Sequence, residues 1–215
     1  MSRNVKRQQR RGNPANLFPY SSTHIVSVAC LLLVLGFFEG SVAAQTRKAQ
    51  LSGINAYVAE VDRFTKRNTK ARRIFADVAT ADNNNPLWRE FKSKREFDKF
   101  EGNPDESAYV WTRAEKVIAV GFTYTSQSGD WAHMVTYYFR EDGTLAKIEA
   151  QLNTFYGDVS VVRNQYFNNV GVRISNSERI LDLKTQKPVK KPADYFDQPV
   201  TVFKKVSELP FYKLL

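Results

Sequence analysis

Beyond residue 44, one histidine is the only side chain whose ordinary pKa lies close to neutral pH. His133 follows Asp130 by three residues, and a histidine held by a carboxylate can take a proton from a nucleophile or a water molecule. No nucleophile can be identified beside this pair. Two interpretations stay open: His133 is a structural histidine at a sheet edge, or His133 and Asp130 form the centre of a hydrolase-like enzyme.

Neighbouring carboxylates are the second source of acid–base chemistry. Asp105-Glu106 and Glu141-Asp142 both lie in turn sequences, where carboxylates are usually solvated, and neither pair has the apolar surroundings of a glycosidase acid. The residues after 44 contain no cysteine and one histidine, which excludes a Cys/His zinc site. Phosphate-binding and dinucleotide-binding glycine motifs are absent from the sequence. We therefore expect no metal, no cofactor and a non-enzymatic protein.

Basic residues are concentrated at the end of the first predicted helix. They are either a solvated helix end, where cations complement the helix dipole, or a patch that contacts anionic lipid. Nucleic acid is an unlikely partner, because no RNA-binding aromatic motif accompanies them. The six residues are Arg63, Lys66, Arg67, Lys70, Arg72 and Arg73.

Aromatic residues are the candidates for ligand binding. The chain contains 15 Phe, 10 Tyr and 3 Trp, enough for a substantial core. Aromatic strand residues either pack in that core or line a groove, and the sequence leaves both open. The residues concerned are Trp111, Trp131, Tyr137, Tyr138 and Tyr156.

The first 44 residues have the organisation of a secretory signal peptide. A basic start precedes an apolar run at residues 25–38, and small residues follow up to Ala44; this order is typical of cleaved export signals. Fourteen residues are too few to span a bilayer, which takes about 20, although residues 25–44 reach that length and could anchor the chain in the inner membrane. The only cysteine, Cys30, lies in this segment. We expect an exported protein, periplasmic or secreted after cleavage near Ala44.

The elements that must position these residues are a helix and a series of strands. Leu51, Ile54, Val58, Val61 and Phe64 recur at spacings of three and four, which predicts an amphipathic helix from about residue 48 to residue 68. An Asn/Pro loop at 80–86 follows, and residues 87–100 are predicted as two short helical turns.

Alternating apolar residues from 108 to 184 predict hairpin strands. Glu141-Asp142-Gly143 is a strong hairpin turn, because glycine accepts the positive φ that such turns need. Tyr138-Phe139 and Tyr166-Phe167 precede Gly143 and Gly171 with the same spacing, 28 residues apart. Two copies are too few to indicate a propeller or a solenoid.

The sequence predicts an α+β protein, in which the N-terminal helix and short helical turns pack on an antiparallel β-meander of about six or seven strands. The regions are 1–44 (signal or anchor), 45–105 (helical, with the Asn/Pro loop), 106–192 (meander) and 193–215 (a tail packing on the same domain). The net charge of +10 leaves a moderate basic excess after residue 44. We expect an envelope protein that binds an apolar ligand or a partner protein; the hydrolase and the lipid-contacting protein are the alternatives.

Overall fold

The computed structural model describes residues 23–79, 85–102 and 104–215, with side chains from residue 45 onward. The predicted signal peptide, its cleavage position and Cys30, together with residues 80–84 of the Asn/Pro loop, lie outside the residues described in this detail. The chain divides into two compact units, Met1–Gln45 and Thr46–Leu215. Within the described residues, no helix combines the length and the apolar character needed to cross a membrane.

Most of the second unit is β-structure, with few helices around it. The main elements are α1 (Thr23–Arg67), β1 (Arg73–Asp77), β2 (Trp88–Phe91), α2 (Lys94–Asp98), β3 (Glu106–Arg113), β4 (Lys116–Thr125), β5 (Trp131–Phe139), β6 (Leu145–Thr154), β7 (Val159–Phe167) and β8 (Arg173–Asp182). Short 3-10 turns at Thr69–Ala71, Val206–Glu208 and Tyr212–Leu214 complete the described elements.

The strands form one antiparallel sheet in the order β2-β1-β3-β4-β5-β6-β7-β8. From β3 to β8 every strand pairs with the next one along the chain, which confirms the predicted antiparallel sheet. The predicted number of strands is wrong, because the sheet has eight and not six or seven. The final strand is continuous over Arg173–Asp182.

The two missed strands lie in the region that was predicted to be helical. Trp88–Phe91 is strand β2, and one helical turn, α2, follows it. Ile74, Phe75 and Ala76 of β1 are all buried, because β1 pairs on both edges and is covered on both faces. A strand covered on both faces has no alternation of apolar and polar residues, so the period-two pattern is missing.

The C-terminal segment, residues 193–215, covers one face of the sheet. Phe211 is 1% exposed and stacks on Phe75 of β1, with the ring centroids 4.5 Å apart. The Tyr137 hydroxyl donates a hydrogen bond to the carbonyl oxygen of Thr201 at 2.7 Å. Arg163 donates to the Asp197 carboxylate at 2.7 Å. Apolar packing and side-chain hydrogen bonds together hold this segment on the sheet.

Helix α1 covers part of the opposite face. Ile54, Val58 and Val61 are buried, as the three-and-four spacing predicts. They pack against Ile118, Ala119, Tyr138 and Ala146. The helix ends where Asn68 donates its backbone N–H and its side-chain amide to the carbonyl oxygen of Phe64, at 3.0 and 2.8 Å.

The 28-residue repeat of the sequence corresponds to a repeated hairpin. In the β5–β6 turn, Gly143 donates to the carbonyl oxygen of Arg140, and in the β7–β8 turn Gly171 donates to that of Asn168. The two glycines have φ values of +78° and +77°, a conformation that costs a non-glycine residue about 1–2 kcal/mol. Both copies therefore use the same turn for the same backbone reason.

Candidate functional site

The first candidate pair, His133 and Asp130, is not joined by a hydrogen bond among the described residues. His133 is 1% exposed and its Nε2 has no partner among the residues that the structure describes. Burial lowers the pKa of His133 to about 4, so the ring is neutral at neutral pH. Asp130 lies in the β4–β5 turn, where its carboxylate accepts a hydrogen bond from Ser128. The hydrolase centre stays a prediction.

The aromatic candidates lie at separate places in the sheet. Tyr137 is fully buried under the C-terminal segment, whereas Tyr138 points to the opposite face and is 4% exposed under α1. The Tyr138 hydroxyl donates to the Asp62 carboxylate at 2.9 Å. Trp111 is half-buried beside the α1 cluster.

Trp131 and Tyr156 share one aromatic neighbour. Both contact Phe196 of the C-terminal segment, with centroid distances of 5.7 and 5.8 Å. Tyr156 is 49% exposed. These two are the candidates that the structure brings to one place.

The basic residues divide into two structural groups. The Arg72 guanidinium lies 4.2 Å from the centre of the Tyr109 ring, and Arg73 makes two hydrogen bonds to the Glu90 carboxylate, at 2.7 and 2.8 Å. Those two arginines therefore have structural contacts. Contact with anionic lipid stays a prediction for the four exposed residues, which are Arg63, Lys66, Arg67 and Lys70.

One of the predicted solvated carboxylates is in fact half-buried. Glu106 begins β3 and is paired with Tyr124 of β4. Burial and, to a smaller extent, the nearby Asp77 carboxylate raise the pKa of Glu106 to about 7, although the hydrogen bond with Tyr124 acts in the opposite direction. The expectation of a solvated pair is wrong for Glu106 because the strand begins there and carries its side chain into the sheet, whereas Asp105 stays exposed.

A pocket of about 450 Å³ lies between α1 and the turns at one end of the sheet. We call it the helix–hairpin pocket. Its size is within the range of small-molecule sites, roughly 300–1,000 Å³. Three segments contribute to it: α1, the end of β3, and the β5–β6 hairpin. The lining residues are Gly53, Ile54, Tyr57, Glu60, Arg113, Arg140, Glu141 and Ala146.

Gly53 opens the helix side of the helix–hairpin pocket. A Cβ atom placed on Gly53 would have no heavy atom within 4 Å, so neither close packing nor a positive φ requires glycine at this position. Glycine nevertheless costs about 1 kcal/mol relative to alanine inside a helix. Ile54 and Ala146, which are 8% and 1% exposed, supply apolar walls of the same pocket.

Tyr57 fixes one wall of the pocket. Its hydroxyl donates a hydrogen bond to the carbonyl oxygen of Phe139, which ties α1 to the end of β5. Burial raises the pKa of Tyr57, so the phenol keeps its proton at neutral pH. The ring therefore presents a neutral, largely apolar surface to the pocket.

Most of the charges around the pocket are paired. Arg113 forms an ion pair with Glu60 and a second with Glu141, the latter at 3.6 Å. Lys116 lies 3.9 Å from the same Glu141 carboxylate. The two acidic residues of the pocket thus face two cations.

Arg140 is the exception among the residues that the structure describes, since none of their carboxylates lies within ion-pair distance of it. Its Nη1 and Nη2 atoms donate to the carbonyl oxygens of Leu145 and Phe167, each at 2.6 Å. Burial lowers the pKa of the Arg140 guanidinium, because a charged group is less stable away from water. No partner of its Nε–H occurs among the described residues.

A second accessible surface lies on the strands that α1 leaves uncovered. We call it the open face. Met134, Gln151, Val162 and Arg179 occupy one row across β5 to β8, and Met134 is 38% exposed. The surface forms a shallow groove of about 330 Å³. Thr136, Glu149 and Asn164 complete it.

Neither surface contains a metal-ligand set. Among the described residues, no group of three or more His, Cys, Asp or Glu side chains is arranged to hold a metal ion. The helix–hairpin pocket has the composition of a binding site, with apolar walls and a few convergent polar groups.

Sequence reasoning missed this pocket, because its residues are far apart in the chain and meet only through the packing of α1 on the sheet. The one sequence signal that could have indicated it is Gly53, a glycine inside the predicted helix.

No protein-family model, curated protein or solved structure matches the chain.

Proposed function

We propose that the protein is an exported, non-enzymatic ligand-binding module and that its ligand occupies the helix–hairpin pocket. The signal-like N-terminal sequence supports export. The observation that carries the proposal is a pocket of about 450 Å³ lined in part by Gly53, a residue that weakens the helix and that close packing does not require.

The experiment compares two phenylalanine substitutions on α1. Gly53→Phe places a ring in the pocket, and Asn55→Phe places the same ring on the exposed side of the helix, two residues or about 200° away. The full-length wild type and both variants are incubated with a small-molecule extract of the cell envelope and examined by native mass spectrometry.

The wild type and Asn55→Phe are expected to carry the same non-covalent adduct, and Gly53→Phe to lack it. Melting curves of all three proteins verify that they are folded. Identical adducts in all three, or none in the wild type, would refute the pocket as the ligand site.

The open face supports partner-protein binding as a second candidate function. Its exposed Met134 and the Arg179 guanidinium, which has no ion pair among the described residues, are typical of a protein contact surface. A photo-crosslinking residue at Met134 is expected to capture a partner in cells, whereas one at the exposed Ser207 of the C-terminal segment is not. Equal adducts at both positions would contradict a specific surface.

A further inference from the structure

The charges of the helix–hairpin pocket point to the chemical class of its ligand. Glu60 and Glu141 are both within ion-pair distance of Arg113, and Glu141 is also near Lys116. After these pairings no carboxylate of the described residues lies within ion-pair distance of Arg140, and the Asp142 carboxylate acts on it only from farther away. A half-buried guanidinium whose hydrogen-bond partners are all neutral oxygens, here backbone carbonyls and the Thr144 hydroxyl, is stabilised by any anion that reaches it.

We infer that the helix–hairpin pocket binds a small amphiphile whose anionic head group, a carboxylate or a phosphate, pairs with Arg140. This inference rests on the proposed function. A planar guanidinium binds both kinds of head group with two parallel N–H···O bonds. The Nε–H of Arg140, which has no partner among the described residues, is available for such a contact.

The other walls of the pocket favour a short apolar tail. Ile54 and Ala146 are aliphatic, Tyr57 presents its ring, and the space beside Gly53 is empty of side-chain atoms. The volume of about 450 Å³ accommodates a single short chain or ring. A purely polar metabolite would leave these walls without a partner, and a purely apolar ligand would leave Arg140 without one.

Arg140 also has a structural role, so its variants need care. Its bonds to Leu145 and Phe167 join the β5–β6 hairpin to the end of β7. Arg140→Lys keeps the positive charge and a donor, whereas Arg140→Met removes both. Gly53→Phe blocks the pocket without touching these bonds, and Asn55→Phe is its control.

Four probes test the inference on the full-length protein by isothermal titration calorimetry: octanoate, mono-octyl phosphate, octan-1-ol and inorganic phosphate. Octanoate or octyl phosphate is expected to bind the wild type and Asn55→Phe, and the stronger of the two identifies the source of the head group. Arg140→Met is expected to weaken that binding about 10- to 100-fold, as for a hydrogen bond to a charged group. Arg140→Lys is expected to restore most of it, and Gly53→Phe to abolish it.

Three results would overturn the inference. The anionic head group would be excluded if octan-1-ol bound as tightly as the two anions. It would also be excluded if the Arg140→Met variant were folded and bound octanoate as the wild type does. Inorganic phosphate binding as tightly as octyl phosphate would exclude the apolar tail. In each case an extract adduct that Gly53→Phe removes would leave the proposed ligand-binding function standing.

Discussion

Replacing Glu106 with glutamine is expected to stabilise the protein at alkaline pH and to have little effect at acidic pH. Glu106 is half-buried beside Tyr124, and burial and the neighbouring Asp77 carboxylate raise its pKa from 4.5 to about 7. Glutamine has nearly the same shape, keeps a hydrogen-bonding oxygen for Tyr124 and carries no charge at any pH.

The sign of this pH dependence follows from the higher pKa of Glu106 in the folded state. A carboxyl group that holds its proton more tightly when folded contributes stability below its unfolded pKa, and this stability is lost as the pH rises through the folded pKa. For Glu106 the window extends from about 4.5 to about 7. A tenfold change in a protonation equilibrium corresponds to about 1.4 kcal/mol, so the full rise in pKa corresponds to about 3.4 kcal/mol. Solvent screening of this half-buried carboxyl group reduces the expected loss of stability across the window to roughly 2–3 kcal/mol.

His133 acts in the opposite direction over an overlapping range. Because burial lowers its pKa from 6.5 to about 4, the stability it contributes is present above about pH 6.5 and is lost as the pH falls towards 4. The same histidine is present in the Glu106→Gln variant. Its contribution therefore cancels when the two proteins are compared at equal pH.

Urea unfolding followed by tryptophan fluorescence, at about pH 4 and about pH 8, measures the two differences in free energy of unfolding. The Glu106→Gln variant is expected to gain roughly 2–3 kcal/mol over the wild type at the higher pH, relative to its difference at the lower pH. Asp105→Asn is the matched control at the exposed neighbour, with an expected change within about 0.5 kcal/mol. A Glu106→Gln difference that is independent of pH would refute the buried-carboxyl reasoning.

Four further substitutions test the packing, one turn and the helix, each by the change in free energy of unfolding. Phe211→Ala is expected to destabilise by about 3–5 kcal/mol, because it removes a buried ring from the core; a loss below 1 kcal/mol would show that the C-terminal segment contributes little. Tyr137→Phe is expected to cost about 1–2 kcal/mol through the lost bond to Thr201, and an unchanged stability would exclude that bond. Gly143→Ala is expected to destabilise the protein by about 1–2 kcal/mol, because Gly143 has a positive φ. Gly53→Ala is expected to stabilise it by up to about 1 kcal/mol, because alanine is the better helix former. A change in free energy of unfolding of the same sign for both substitutions would contradict the structure.

The strands that the sequence predicted, β3 to β8, are those with local sequence signals. β3 to β8 alternate between a covered face and a more accessible one, and their turns contain glycines that adopt positive φ, such as Gly143 and Gly171. Period and turn chemistry are properties of a few neighbouring residues, so one sequence suffices to detect them. β1 has no such signal, because partners on both edges and both faces are brought to it by distant parts of the chain.

The same distinction, between signals from neighbouring residues and contacts between distant ones, explains why the sequence did not predict the candidate site. His133 and Trp131 stood out by residue type, but residue type does not determine whether a side chain is buried or accessible. Arg140 looked like an ordinary charge beside a turn, and its position in a pocket depends on how α1 packs on the sheet. Gly53 was visible only as a weakness in the helix, since the space it opens lies between two elements.

The 28-residue repeat also appears in the part of the sheet that packs against α1. In β4, β6 and β8 the strand register skips one residue, and the skipped residues are Ile118, Ala146 and Ile174, spaced by 28. A β-bulge bends its strand and redirects a side chain. All three residues belong to or pack against the cluster that holds α1.

The three bulges therefore bend the repeated hairpins into the surface that contacts α1. Of the three bulge residues, alanine occupies the middle position and lines the helix–hairpin pocket opposite Gly53. Isoleucine fills the equivalent position in the two outer strands. Two small residues, Gly53 on the helix and Ala146 on the sheet, thus line the pocket together, and a large side chain at position 53 is the direct test of whether the ligand occupies it.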